Sequence, residues 1–275
     1  QPPVYHPFAW VTTRNERTLV INPLKWENGM YRMDLDAFRE QIKGCKLFIL
    51  CNPHNPGGVV WTEAELRAIA DICYDEKVLV FSDEIHADLT LPPHTHRPFA
   101  TVSEKARMNS VTFMSPSKAF NMPGLSASHA LIFNEDLRKR FRIYMDAGEL
   151  DMGHVFAFLS VEAAYSHGTE WLDQCLAYIQ GNIDFVDEFL KKHAPKIKAI
   201  RPEASYLVWL DCRELELSQK DLNEFFVDKA HLALNDGEMF GKEGIGFMRL
   251  NVASPRCIIE KAMKQLADAY QLYIK

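Results

Sequence analysis

Four near-continuous apolar runs, at residues 47–51, 78–82, 110–114 and 129–133, constrain the fold of this chain more than any other feature. Runs of this length without polar alternation suit strands covered on both faces, which is the habit of parallel sheets. Between the first two lies a helical pattern. Thr62 with Glu65 three residues later makes a capping box, and Leu66, Ile69, Ala70 and Cys73 recur at i, i+3, i+4 and i+7. Strand–helix–strand alternation predicts parallel pairing through right-handed crossovers, and hence a three-layer α/β domain.

From about residue 170 the pattern changes. A long helical stretch runs over 171–193 and stops before Pro195. It is followed by β-like runs at 196–201, 205–210 and 246–250, mixed with helical stretches at 218–230 and from Pro255 onward. In the last helix Ser254 can cap and Pro255 suits the first turn, while Ile258, Ile259, Ala262, Met263, Leu266 and Tyr270 form the expected buried stripe. The division read from this is a large domain over 1–170 and a linking helix with a smaller α+β domain over 171–275.

Composition narrows the classes of function. The 275 residues carry 31 Lys+Arg against 37 Asp+Glu, a formal charge of −6, without the basic excess of a nucleic-acid binder. No apolar run approaches the ~18 residues of a membrane span. The cysteines at 45, 51, 73, 175, 212 and 257 show neither metal nor cystine spacing, which reads as free thiols in a reducing cytoplasm. His94 and His96 lack further ligands at metal-site spacing, so no metal is expected.

Chemistry gathers at three predicted strand ends, where open α/β sheets bind ligands. Cys51-Asn-Pro-His-Asn-Pro-Gly-Gly58 reads as a tight, exposed turn aiming an amide at the sheet edge. Ser82-Asp-Glu-Ile-His86 puts an acid at the end of a buried strand, which is costly unless it meets a cation or donors. Ser115-Pro-Ser-Lys118-Ala-Phe-Asn121 sets a lysine among small and apolar residues, a setting for a Schiff-base amine or a general base, beside two hydroxyls fit for phosphate.

These three segments, together with Val4-Tyr-His-Pro-Phe8 and Phe247-Met-Arg-Leu-Asn-Val252, resemble the fold-type I pyridoxal-phosphate (PLP) enzymes of the class I/II aminotransferase superfamily. More narrowly they resemble the cystathionine β-lyase (C–S lyase) branch typified by MalY and PatB proteins. The resemblance implies a PLP-transferase-like large domain with a mostly parallel sheet, and a smaller C-terminal α+β domain. It implies Lys118 as the Schiff-base residue, Asp83 as partner of the pyridinium nitrogen and Asn55 as donor to the 3′-oxygen. It implies Tyr5 stacked on the ring, His86 beside it, Ser115 and Ser117 on the phosphate, and Arg249 on the substrate α-carboxylate. Ser126 stands where many aminotransferases carry a phosphate-binding arginine, which leans toward the lyase branch.

The resemblance further implies a homodimer acting on a small amino acid. It also implies that relatives carry roughly 110 to 120 residues before the segment matching Tyr5, including a helix N-terminus that cradles phosphate. The activity expected is cleavage of cystathionine- or cysteine-type amino acids to thiol, pyruvate and ammonia. An aminotransferase using the same residues is the alternative, and a third reading is a fragment that keeps the fold without the cofactor.

Overall fold

The computed structural model describes residues 1–150 and 153–273. In chain order its regular elements are α1 (Pro7–Arg14), β1 (Lys25–Glu27), β2 (Met30–Arg32), α2 (Leu35–Gln41), β3 (Leu47–Cys51), α3 (Glu63–Asp75) and β4 (Leu79–Asp83). There follow α4 (Glu104–Met108), β5 (Ser110–Met114), β6 (His129–Leu131), α5 (Glu135–Ala147), α6 (Val155–His167) and α7 (Thr169–His193). The chain ends with β7 (Lys198–Ile200), β8 (Leu207–Asp211), α8 (Gln219–Glu224), β9 (Asn235–Asp236), β10 (Phe247–Asn251) and α9 (Arg256–Tyr273). The chain forms two compact units. Unit 1 comprises Gln1–Arg32, Asn55–Val59 and Cys175–Lys275; unit 2 comprises Met33–His54 and Val60–Gln174. The opening segment therefore folds with the stretch that begins at Cys175.

Unit 2 holds a sheet in the order β3-β4-β5-β6. The first three strands are parallel, with Cys51 opposite Asp83 and Asp83 opposite Phe113, so they finish level at their C-terminal ends. The fourth differs from the parallel pairing that the alternation predicts. β6 runs antiparallel to β5, Met114 facing His129, because residues 115–128 return as a turn-rich loop instead of a full helical crossover. The strand interiors Leu50, Val80 and Val111 are buried, and α3 lays Leu66, Ile69, Ile72 and Cys73 into the core. Each such side chain contributes about 1.5–3 kcal/mol of transfer free energy. The capping box at its start is formed: Glu65 N–H donates to Thr62 Oγ1 (3.2 Å) and Thr62 N–H to Glu65 Oε2 (2.8 Å).

Around α5 and α6 the same unit presents apolar side chains outward, including Ile143, Tyr144, Val155, Phe156, Phe158 and Leu159. The basic run Arg138–Arg142 is solvated apart from half-buried Phe141.

Unit 1 is built on the antiparallel sheet β7-β8-β10-β9. At its centre Trp209 stacks on Phe247 with ring centroids 5.2 Å apart, meets Phe240 edge-on and donates to Tyr31 Oη at 3.2 Å. That last bond ties the β1–β2 hairpin to the sheet. The helix predicted at 218–230 is α8 followed by a π-helical turn, Phe225–Lys229, closed by Ala230 N–H to Phe225 C=O at 2.9 Å. The wider turn lets the neighbouring Phe225 and Phe226 both be buried. In α9 Ile259, Met263, Leu266 and Tyr270 are buried, whereas Ile258 is exposed; residues i and i+1 lie about 100° apart on a helix, too far to share so narrow a stripe.

The segment 51–58, read from sequence as an exposed turn, is buried throughout. Its carbonyl at Gly58 accepts from the N–H groups of Glu203 and Ala204 (2.8 and 3.1 Å). Gly58 has φ +69°, and a Cβ there would lie 2.5 Å from Pro202 Cβ, so both backbone and packing demand glycine. Among the described residues, no helix is long and apolar enough to cross a membrane.

Candidate active site

Because β3, β4 and β5 end level, the chain leaves them at one edge of the unit 2 sheet. Asp83, the last residue of β4, sits there with little support. Its Oδ1 accepts from Ile85 N–H at 3.2 Å, and its second oxygen accepts nothing from the described residues. Burial pushes the Asp83 carboxyl above the ordinary carboxylate range and the adjacent Glu84 charge adds to this, while the Ile85 amide and the Lys118 charge pull against them. His86, three residues on, is buried at the start of a short 3₁₀ turn, Ala87–Leu89.

Lys118 lies in the turn that follows β5, closed by Phe120 N–H to Pro116 C=O (2.8 Å) and Met122 N–H to Ser117 C=O (3.0 Å). It is half-buried and makes no ion pair or hydrogen bond with the described residues. Ser115, buried at the head of this turn, donates its hydroxyl to the Ala127 carbonyl and accepts from Ser117 N–H at 3.1 Å. A hydroxyl has one proton to give, so in the short Ser115–Ser117 hydroxyl pair Ser117 is the donor. For an incoming anion the available proton is therefore that of Ser117, released by rotating its hydroxyl away from Ser115.

The same sheet edge holds a network that the sequence reading missed. Glu84 is buried and accepts from Ser82 Oγ at 2.7 Å and Phe99 N–H at 2.8 Å; its Oε2 lies 2.7 Å from His96 Nε2. His96, considered above only as a metal ligand, is thus engaged with a carboxylate. The available signal was the Asp83–Glu84 pair itself: on a strand only one of two neighbours can face a given side, and the other needs its own donors.

In unit 1 the functional candidates collect around β10. Arg249 Nη1 donates to Asn55 Oδ1 (2.9 Å) and Nη2 to Asn235 Oδ1 (2.7 Å), with the guanidinium 4.7 Å over the Phe240 ring. Its Nε is buried without an acceptor, and no carboxylate pairs with it among the described residues. Burial lowers its affinity for its proton, against the opposing effects of Tyr206 and Tyr5. A desolvated guanidinium held only by neutral oxygens is a receptor for an anion, above all a carboxylate. Asn55 is buried, and Tyr5, which is exposed, donates its backbone N–H to the Asn55 carbonyl at 3.0 Å. Thus the structure gathers Asp83, His86, Ser115, Ser117 and Lys118 in unit 2, and Tyr5, Asn55 and Arg249 in unit 1.

An open α/β sheet ending in a desolvated acid and an unengaged lysine is the setting of a cofactor-dependent enzyme, and comparison with known proteins supplies the family. The chain belongs to the aminotransferase class I and II family, whose model matches residues 1–266. It is 38% identical over 271 residues to cystathionine beta-lyase PatB of Bacillus subtilis (strain 168), covering 98% of this chain and 70% of that protein. To Protein MalY of Escherichia coli (strain K12) it is 32% identical, with 97% of this chain and 68% of that one covered. Among solved structures, cystalysin from Treponema denticola, which contains a pyridoxal 5'-phosphate cofactor, matches with a TM-score of 0.95 and 34% identity, over 100% of this chain and 70% of that one. The fold is that of the PLP-dependent transferases.

Proposed function

We propose that this protein is a PLP-dependent carbon–sulfur β-lyase that cleaves cystathionine- or cysteine-type amino acids to a thiol, pyruvate and ammonia. The observation that carries the reading is the 38% identity to a cystathionine beta-lyase along 98% of the chain. The residues in unit 2 fit the cofactor: an acid with one backbone donor among the described residues suits a protonated ring nitrogen, and a half-buried lysine that makes no ion pair or hydrogen bond with the described residues suits a carbonyl carbon.

When bound, PLP supplies an electron sink that stabilises negative charge at the substrate Cα, so that a β-thiolate can leave. Lys118 would hold the cofactor carbonyl, and its amine would be the base for the Cα proton. Asp83 holds the proton on the ring nitrogen, and its own under-compensated charge is what makes it a strong acceptor there. Ser117, with Ser115 behind it, donates to the phosphate. By the family resemblance, His86 would neighbour the ring, Tyr5 would stack on it and Asn55 would donate to its 3′-oxygen. Arg249 takes the substrate α-carboxylate, the buried Nε adding a donor that has no other use in the structure.

Pyruvate released from cystathionine without a keto-acid acceptor is the expected result. Strict dependence on an acceptor would replace the lyase reading with the aminotransferase one, and a chain that takes up no PLP would leave the non-catalytic reading. The protein acts as a homodimer in the cytoplasm under this proposal. The outward apolar side chains of α5 and α6 support an assembled state, and its free cysteines, three of them buried, support a reducing compartment. Light scattering on a size-exclusion column tests the first point by mass.

A further inference from the structure

Asp83 and Glu84 are neighbours with opposite circumstances: one has a single weak backbone donor, the other is enclosed by three partners. We propose that Glu84 and His96 form a positioning pair that aims the Asp83 carboxylate, without either residue touching cofactor or substrate. The proposal rests on the PLP reading and adds residues to it that none of the family motifs named above assigns a role.

Strand alternation is the starting point. Along β4 and its extended continuation at Glu84, whose N–H still bonds the Phe113 carbonyl, Ser82 and Glu84 share one face while Phe81 and Asp83 share the other, and the 2.7 Å Ser82–Glu84 bond reports that shared face directly. Whatever grips Glu84 therefore sets the last pleat of the strand and the direction in which Asp83 leaves it. The grip comes from the segment 96–99. His96 Nε2 and Phe99 N–H both reach the Glu84 carboxylate, and the Glu84 side chain is fully enclosed. The same segment is fastened to the neighbouring strand end, where Asn52 Nδ2 donates to the Arg97 carbonyl at 3.2 Å.

The backbone around Asp83 is likewise held from both sides. Its carbonyl accepts from Asn52 N–H at 2.9 Å, and the Glu84 N–H donates to the Phe113 carbonyl at 2.8 Å. Thus β3, β4, β5 and the 96–99 segment meet at one residue pair. Only the Asp83 side chain is left lightly held, and the Ile85 amide that holds it belongs to the residue just after Glu84.

A brace alone does not need a buried carboxylate. Apolar residues of similar volume commonly replace a buried polar network with no loss of stability. What a carboxylate adds is direction, through fixed hydrogen-bond geometry, and charge. The charge acts on Asp83 in the useful sense, because Glu84 strengthens its hold on a proton. The Glu84–His96 pair thus supports the same task that the cofactor reading gives Asp83.

The test uses the full chain as wild type, Glu84→Gln, Glu84→Ala and His96→Ala. Before loading, amide hydrogen exchange at Ile85 reports the Asp83 hydrogen bond; after loading, PLP affinity is read from visible absorption, and kcat and KM are measured on cystathionine. Glu84→Gln keeps an acceptor oxygen but not the charge and is expected to lose about threefold, whereas Glu84→Ala and His96→Ala lose about tenfold or more in PLP affinity and kcat with KM little changed, as expected for a displaced reacting group. Faster exchange at Ile85 accompanies that loss.

Alanine variants with wild-type PLP affinity, absorption and kcat, and only a lower melting temperature, overturn the proposal. If Glu84→Ala does not fold, the partly surface-reaching His96→Ala decides by the same criteria. A wild-type chain that takes up no PLP brings down the cofactor reading and this proposal together; uptake by wild type and alanine variants alike brings down this proposal only.

Discussion

The strand end in unit 2 and the β10 region of unit 1 handle charge in complementary ways. At the end of β4 a desolvated carboxylate holds one backbone donor and leaves an oxygen open. On β10 a desolvated guanidinium holds two amide oxygens and leaves a buried Nε open. Elsewhere in unit 1 the same chemistry is closed: Arg213 grips Asp211 with Nε and Nη2 at 2.9 and 2.7 Å, holding that carboxyl below its usual range despite partial burial. The Arg213–Asp211 pair leaves no charge open. An open acid calls for a cation and an open guanidinium for an anion.

Each half can be broken separately. The largest effect is expected from Lys118→Ala, which under the proposed function removes both the cofactor anchor and the base: kcat should fall about 10⁴-fold, and the new visible band formed on adding PLP to wild type should be absent. Next, Arg249→Ala should cost about 3 kcal/mol, a hundredfold or more in kcat/KM, expressed in KM, with PLP absorption unchanged. Arg249→Lys should recover only part of this, because an ammonium cannot reproduce the fork. If Arg249→Ala alters PLP uptake as much as substrate affinity, the separation of roles drawn here is wrong.

Asp83→Asn sharpens the comparison because it acts in opposite directions on the two states. A carboxyl raised above its ordinary value of 3.8 contributes stability that is complete below that value and is lost as pH rises through the raised one. Removing the charge should therefore make the cofactor-free chain more resistant to urea than wild type at neutral pH, the difference closing as pH falls toward 3.8. With PLP bound, the same change should lower kcat about a hundredfold, as does removal of a preorganised electrostatic group elsewhere. Equal urea midpoints at every pH would show that Asp83 is better compensated than its surroundings indicate. The smallest effect belongs to Thr62→Ala in the capping box: about 1 kcal/mol in urea unfolding, with no change in KM.

Local signals carried much of this in advance. The run at 110–114 is β5, the Thr62–Glu65 pair caps α3, and the helix expected over 171–193 is α7 with two added residues. Each depends on neighbours a few positions apart, so the pattern is complete within its own window. The acid at Asp83 was legible for the same reason, as a charge at the end of an apolar run.

What escaped the sequence depends on partners far along the chain. The run at 129–133 has the composition of a strand, but its direction is set by how residues 115–128 return, and composition is indifferent to direction. The segment 51–58 reads as exposed because Pro, Asn and Gly mark turns; at its Gly58 end it packs on residues 202–204, more than 140 positions away. His96 meets Glu84 across 12 residues through a proline-rich loop that has no periodicity to read. The amino-acid sequence by itself determined which segments become strand or helix and which residue types can do chemistry, because those preferences are local. Only the tertiary structure decided which charges stay open and which are closed, because a buried charge is judged by every donor and acceptor that the fold brings within reach.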